Sequence, residues 1–220
     1  MRLKFSDMAI KTKICGLKTS EAVEAAVRGG AVYVGFVFFP PSPRFLELKQ
    51  ARLLSEKIPN TVQKVALTVN ETMEGFAEIL SQVPIDILQL HGSESPDFIR
   101  ELKARFSLPV MKAIPISSAD DLKKAEIYEG VADFLLFDAK APKDATRPGG
   151  NAVSFDWNLL ADYSGSTPWF LAGGLTKENM EEAVRLTGAS LIDLSSGVEE
   201  AIGVKNPAMI SDFLFRTSKL

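Results

Sequence analysis

The chain has 220 residues, 46% of them hydrophobic, with a formal net charge of −3 and Lys and Arg scattered along its length. It is long and apolar enough to bury a core as one domain, and it lacks the clustered positive charge of a nucleic-acid footprint. No apolar run approaches the roughly 20 residues that span a bilayer, residues 1–13 lack the apolar centre of a signal peptide, and a single cysteine excludes an internal disulfide, which together fit a cytoplasmic enzyme or binding domain.

Residues 1–8 are expected to be an N-terminal extension outside the fold, with Met8 an alternative initiator. Residues 10–15 predict a first strand that ends at Gly16, and Thr19 or Ser20 caps a helix over 21–28, closed by Gly29 and Gly30. A second strand over 32–39 runs into Pro40-Pro-Ser-Pro-Arg44, which neither continues a strand nor opens a helix and is therefore a loop. Helices over 47–57, 73–82, 96–106 and 119–128 then alternate with strands over 63–69, 85–90, 109–113 and 134–137. Between residues 62 and 131 the interval is about 23 residues, the length of one strand, one helix and two short loops.

Residues 138–153, rich in Gly, Pro and Lys, interrupt this alternation, and a loop of that length inside a domain reads as a lid or binding loop. A helix over 156–161 follows. The seventh strand, 169–172, breaks at Gly173-Gly174, and Thr176 is placed to cap a helix starting near Lys177. The eighth, 191–194, breaks at Ser195-Ser196-Gly197. Two successive strand ends with bare backbone and hydroxyls suit an anion, because unpaired N–H groups point outward there.

Eight strands, each followed by a helix, predict an α/β chain closed as a single-domain (β/α)8 TIM barrel over residues 9–220. Such barrels typically need about 250 residues and are built from as few as about 200. A doubly wound open sheet is the alternative, but its spaced triple glycine is missing. In a barrel the loops after strands seven and eight are a common phosphate site, and reactive side chains stand at the strands' C-terminal ends.

Those ends carry Cys15, Arg44, Gln89 and His91, Asp138 and Asp193. Each also has an ordinary reading. A lone cysteine is commonly a small buried apolar residue, Arg44 a solvated loop charge, His91 a loop hydrogen-bonder, and Asp193 an anchor for the Ser195-Ser196 loop. Asp138 directly follows Phe134-Leu-Leu-Phe, where a carboxyl is partly desolvated, as a general acid requires.

In order along the chain, Lys13-Ile-Cys-Gly-Leu, Gly35-Phe-Val-Phe-Phe-Pro-Pro-Ser-Pro-Arg44, Gln89-Leu-His-Gly, Phe137-Asp138, Gly149-Gly-Asn, Phe155-Asp-Trp, Leu171-Ala-Gly-Gly-Leu and Asp193-Leu-Ser-Ser-Gly-Val-Glu resemble the phosphoribosylanthranilate isomerases. The resemblance runs from Lys13 to about Pro207. It implies a TIM barrel of tryptophan biosynthesis that carries out an Amadori rearrangement of N-(5-phosphoribosyl)anthranilate without a metal or organic cofactor. It further implies Asp138 as general acid, Cys15 as general base and Arg44 as the holder of the anthranilate carboxylate. Gly173, Gly174, Ser195, Ser196 and Gly197 would bind the phosphate, with His91 and Asp193 on the substrate side. The expected partner is one phosphorylated small molecule, with no nucleic acid or membrane, bound by a monomer or homodimer.

The chain departs from the family at Val65-Ala-Leu-Thr-Val-Asn, where glycine and an aromatic residue are expected, and at Gly150-Asn-Ala152, where Gly-Thr-Gly is commoner. Three rivals remain. An indoleglycerol phosphate synthase would use lysines such as Lys112, a phosphate-binding scaffold would lack turnover, and a thiol redox sensor would need a resolving cysteine that is absent.

Overall fold

Eight parallel strands pair in chain order: β1 (Lys11–Cys15), β2 (Tyr33–Val37), β3 (Gln63–Thr68), β4 (Ile87–Leu90), β5 (Val110–Ile116), β6 (Phe134–Ala139), β7 (Trp169–Leu171) and β8 (Leu191–Leu194). β8 then pairs with β1, with Lys13 opposite Asp193, and the sheet closes as the expected barrel. The computed structural model describes residues 9–141, 148–150, 154–161 and 163–220; the expected extension over residues 1–8 and the lid position Ala152 lie outside them. No helix among the described residues is long and apolar enough to cross a membrane.

The helices are α1 (Ser20–Arg28), α2 (Leu48–Ser55), α3 (Met73–Gln82), α4 (Pro96–Phe106), α5 (Ala119–Ala125), α6 (Met180–Thr187) and α7 (Pro207–Thr217). Thr19, Thr72 and Ser95 each accept a backbone N–H from the first turn of α1, α3 and α4, so three of the helix starts follow from one hydroxyl placed before an apolar-periodic run. The helix expected over 156–161 is a single 3₁₀ turn, Trp157–Leu160, and the end of the one expected over 119–128 is a 3₁₀ turn, Glu126–Tyr128.

α6 begins later than its sequence suggests. Asn179 Oδ1 accepts the N–H of Thr176 at 2.7 Å and Thr176 Oγ1 accepts that of Glu178 at 3.2 Å, so a separate turn precedes the helix. β5 runs on through Pro115 because its ladder to β4 has ended at Lys112, and the missing N–H opens no pair on that side. An antiparallel ribbon, β9 (Glu199–Ala201) with β10 (Val204–Lys205), stands between β8 and α7 and was not expected from the sequence.

The pleat sorts side chains into two cores. Ile14, Phe36, Leu88, Leu135, Leu171 and Ile192 point outward beneath the helices. Tyr33, Val65, Ile87, Met111, Leu136 and Phe170 fill the barrel, where Phe170 meets Tyr33 and Phe134 edge-on at 5.2 and 5.8 Å. These rings plug the barrel's N-terminal end. The polar inward positions are left to gather at the other end.

Candidate active site

On β1 the alternation that turns Ile14 outward turns both Lys13 and Cys15 inward. Lys13 is wholly buried, and its Nζ lies 2.9 Å from Asp193 Oδ1 on the neighbouring β8. Cys15 faces Gly35 of β2 across the ladder. A methyl group on Gly35 would lie 2.8 Å from Cys15 Sγ and 3.3 Å from Lys13 Nζ, so a bare backbone here makes room for the thiol and the ammonium together. Burial pushes the Cys15 thiol above its ordinary value, with the Lys13 ammonium pulling it down and Asp193 pushing it further up. Burial also disfavours the Lys13 cation, but the attraction of Asp193 and Cys15 outweighs it and the ammonium is held more firmly than usual.

The extension of β6 carries Asp138 inward, two residues after Leu136. Its Oδ1 accepts the N–H of Ala139 at 2.9 Å, which fixes the carboxyl plane, and its Oδ2 lies 3.3 Å from His91 Nε2. The other ring nitrogen of His91 is 3.2 Å from Gln89 Nε2. With the amide oriented to donate, His91 Nδ1 accepts and Nε2 carries the hydrogen that faces Asp138; that tautomer is inferred from the pattern of donors. Gly149 closes over the pair, since a methyl group there would come within 2.6 Å of both His91 Nε2 and Asp138 Oδ2.

Arg44 ends the proline-rich loop, and it is buried rather than solvated. Its Nε and Nη2 donate to Glu199 Oε1 and Oε2 at 2.7 and 2.9 Å. Lys205 Nζ reaches the same carboxylate at 2.5 Å and donates to the carbonyl and hydroxyl oxygens of Ser195 at 3.0 and 3.2 Å. Ser195 Oγ in turn donates to the carbonyl of Cys15. Burial works against the Glu199 charge, but its two cationic partners hold the carboxyl below its ordinary value. Burial lowers Lys205 despite that pairing.

Gly173, Gly174, Ser195 and Ser196 line one side of a cleft of about 780 Å³ that opens to solvent, together with Cys15, Arg44, His91, Asp138 and Asp193. Gly173 has φ +85° and passes so close to β6 that a methyl group would lie 2.7 Å from the N–H nitrogen of Ala139, so only glycine brings this loop beside Asp138. Gly197 is not in the cleft. It is where the two glycine loops touch, and a methyl group there would strike the carbonyl of Leu175.

Of the ten residues expected at the site, nine therefore meet in one cleft. Lys13, Glu199 and Lys205 were missed, because a lysine on a strand and a Glu and a Lys in a charged C-terminal stretch look like solvent-facing residues. A strict inward-outward reading of the first strand would have flagged Lys13, two positions from Cys15. Lys112 is absent from the cleft. It is buried against Glu94 at 3.1 Å and donates to the carbonyls of Gly92 and Ala113, which is a structural clamp and removes the lysine that the synthase reading needed. The described residues hold no group of three or more His, Cys, Asp or Glu side chains able to share a metal ion.

The family model for N-(5'phosphoribosyl)anthranilate (PRA) isomerase matches residues 12–216. The N-(5'-phosphoribosyl)anthranilate isomerase of Cereibacter sphaeroides is 54% identical over 205 residues, covering 93% of this chain and 97% of the relative. That of Paracoccus denitrificans is 51% identical over 211 residues, covering 96% and 98%. Among solved structures, the phosphoribosyl anthranilate isomerase of Thermotoga maritima superposes with a TM-score of 0.85 at 32% identity, over 96% of this chain and all of that one. A phosphoribosyl anthranilate isomerase in complex with reduced 1-(o-carboxyphenylamino)-1-deoxyribulose 5-phosphate superposes with a TM-score of 0.82 at 31% identity and the same coverage. With the matched segment spanning the whole barrel and the cleft, the chain belongs to the N-(5'-phosphoribosyl)anthranilate isomerase family and is an isomerase.

Proposed function

We propose that the chain converts N-(5-phosphoribosyl)anthranilate to 1-(2-carboxyphenylamino)-1-deoxyribulose 5-phosphate, an Amadori rearrangement of tryptophan biosynthesis. The observation that carries this reading is the placing of Cys15 and Asp138 on β1 and β6, facing one cleft whose walls offer a glycine-serine cradle and an arginine. The phosphate sits against the backbone of Gly173, Gly174, Ser195 and Ser196. Arg44 takes the aromatic carboxylate, while Val37, Phe39 and Leu67 supply apolar wall for the ring.

Asp138 gives its proton to the furanose oxygen as the nitrogen lone pair forms the C=N bond and the ring C–O bond breaks. The Cys15 thiolate then removes the proton on sugar carbon two, and those electrons form the C1–C2 double bond while the iminium pair returns to nitrogen. The resulting enol becomes the ketone as the hydroxyl on carbon two gives up its proton, the oxygen pair forms C=O, and the C1–C2 pair takes a proton at carbon one. A thiol that burial holds above its ordinary value needs help to act as a base, and both the Lys13 ammonium and the substrate's own iminium charge favour the thiolate. His91 and Gln89 keep Asp138 Oδ2 directed at the cleft.

The test follows loss of phosphoribosylanthranilate fluorescence with purified protein and no added metal. Asp138→Asn and Cys15→Ala should each lose most turnover and still bind substrate, since neither holds the phosphate or the carboxylate. Near wild-type turnover in both variants would overturn the assignment of roles. The protein is taken to act as a monomer or homodimer, and a Thermotoga maritima relative is described as dimeric.

A further inference from the structure

The fork of Arg44 is already engaged within the protein. Nε and Nη2, the side-on pair of the guanidinium, are both given to Glu199, so a ligand carboxylate is left the end formed by Nη1 and Nη2. Arg44 and Gly150 both line the cleft, and Nη1 lies against Gly150, where a methyl group would come within 2.5 Å. An arginine otherwise free to rotate about four side-chain bonds is thereby presented in one orientation before any ligand arrives.

Glu199 is itself fixed by two further contacts. Lys205 bonds Oε1, and the N–H of Gly203 bonds Oε2 at 3.1 Å. Gly203, with φ +80°, brings the ribbon so close to the proline loop that a methyl group would lie 2.6 Å from the carbonyl oxygen of Pro43. The β9–β10 ribbon is therefore clasped against the residue next to Arg44. Through Lys205 and Ser195 the same carboxylate is tied to the loop after β8 and to the backbone of Cys15.

We propose that Glu199 is a positioning residue that presets Arg44 end-on for the aromatic carboxylate of the substrate, and that Lys205 couples this setting to the phosphate loop. The inference rests on the reading that Arg44 binds that carboxylate. Arg44 and Lys205 together carry two buried positive charges and Glu199 one negative, so the relay presents a single net positive charge to an anionic ligand.

The test measures binding by calorimetry of two ligands, reduced 1-(o-carboxyphenylamino)-1-deoxyribulose 5-phosphate and its phenylamino counterpart without the carboxylate. The ratio of their dissociation constants reports how well the carboxylate is recognised. Arg44→Ala should bring the ratio close to one. Glu199→Gln should lower it about tenfold, and so should Glu199→Gln combined with Lys205→Met, which removes a charge pair together and preserves the fold if the single variant does not. Lys205→Met alone should weaken both ligands and lower the ratio by less than Glu199→Gln does, since Glu199 keeps its bonds to Arg44 and Gly203; a ratio unchanged from wild type would show that Lys205 does not couple the two. If Arg44→Ala leaves the ratio intact, Arg44 does not bind the carboxylate and both readings fall. If Arg44→Ala abolishes it while both Glu199 variants retain it, the positioning role alone is wrong.

Discussion

Replacing Lys13 with methionine keeps the length of the side chain and removes the cation that most opposes the effect of burial on Cys15. The two groups are each close to a common point at Gly35, so Sγ and Nζ are no more than about 6 Å apart, which at an effective dielectric constant of about 20 is worth roughly 3 kcal/mol. The sign is upward. Burial already raises the thiol, Lys13 opposes that, and Asp193, left uncompensated, adds to it. The alkaline-rising limb of kcat/KM should move to higher pH, and turnover at neutral pH should fall severalfold. The thiolate absorbance of the chain's single cysteine, read against Cys15→Ser, measures the same shift without turnover.

The substitution has a second consequence that must be separated from the first. It leaves Asp193 buried without its partner, a loss of about 3–5 kcal/mol where a domain of this size has only about 5–15 kcal/mol in total. Lys13→Met with Asp193→Asn removes both charges, so it should recover most of the stability while the limb still moves up, by less. A limb that stays within a few tenths of a unit of the wild type in both variants, or that moves down, would refute the claim that Lys13 favours the thiolate.

Gly35→Ala tests the same site from the other strand: its methyl group would meet Cys15 Sγ at 2.8 Å, so turnover should drop sharply with a stability loss of about 1–3 kcal/mol, seen by thermal melting beside fluorescence kinetics. Stability should also respond to pH at both ends. Glu199 is held below its ordinary 4.5, so its contribution is present above that pH and is lost as pH falls through the depressed value; Glu199→Gln should flatten the acid limb of a melting-temperature profile. Lys13 is held above its ordinary 10.5, so its contribution is complete below that pH and is lost as pH rises through the raised value, and the Lys13→Met/Asp193→Asn variant should show a shallower decline above pH 10.5.

Local chemistry made most of the frame legible. Strands and helices alternate because hydrophobic period and capping hydroxyls act within a few residues, and α3 and α4 fall where Thr72 and Ser95 start them. Cys15, Asp138, Arg44 and the two glycine loops were readable as strand-end chemistry once eight strands were counted. What the tertiary structure alone decided is how these groups are paired. Lys13 meets Asp193 across 180 positions only because β8 closes onto β1, and Arg44 meets Glu199 across 155 because the ribbon after β8 folds back on the proline loop. A buried ion pair leaves no local signature: each charged residue taken singly is best solvated, and its burial is favourable only when closure of the barrel delivers the opposite charge to the same place.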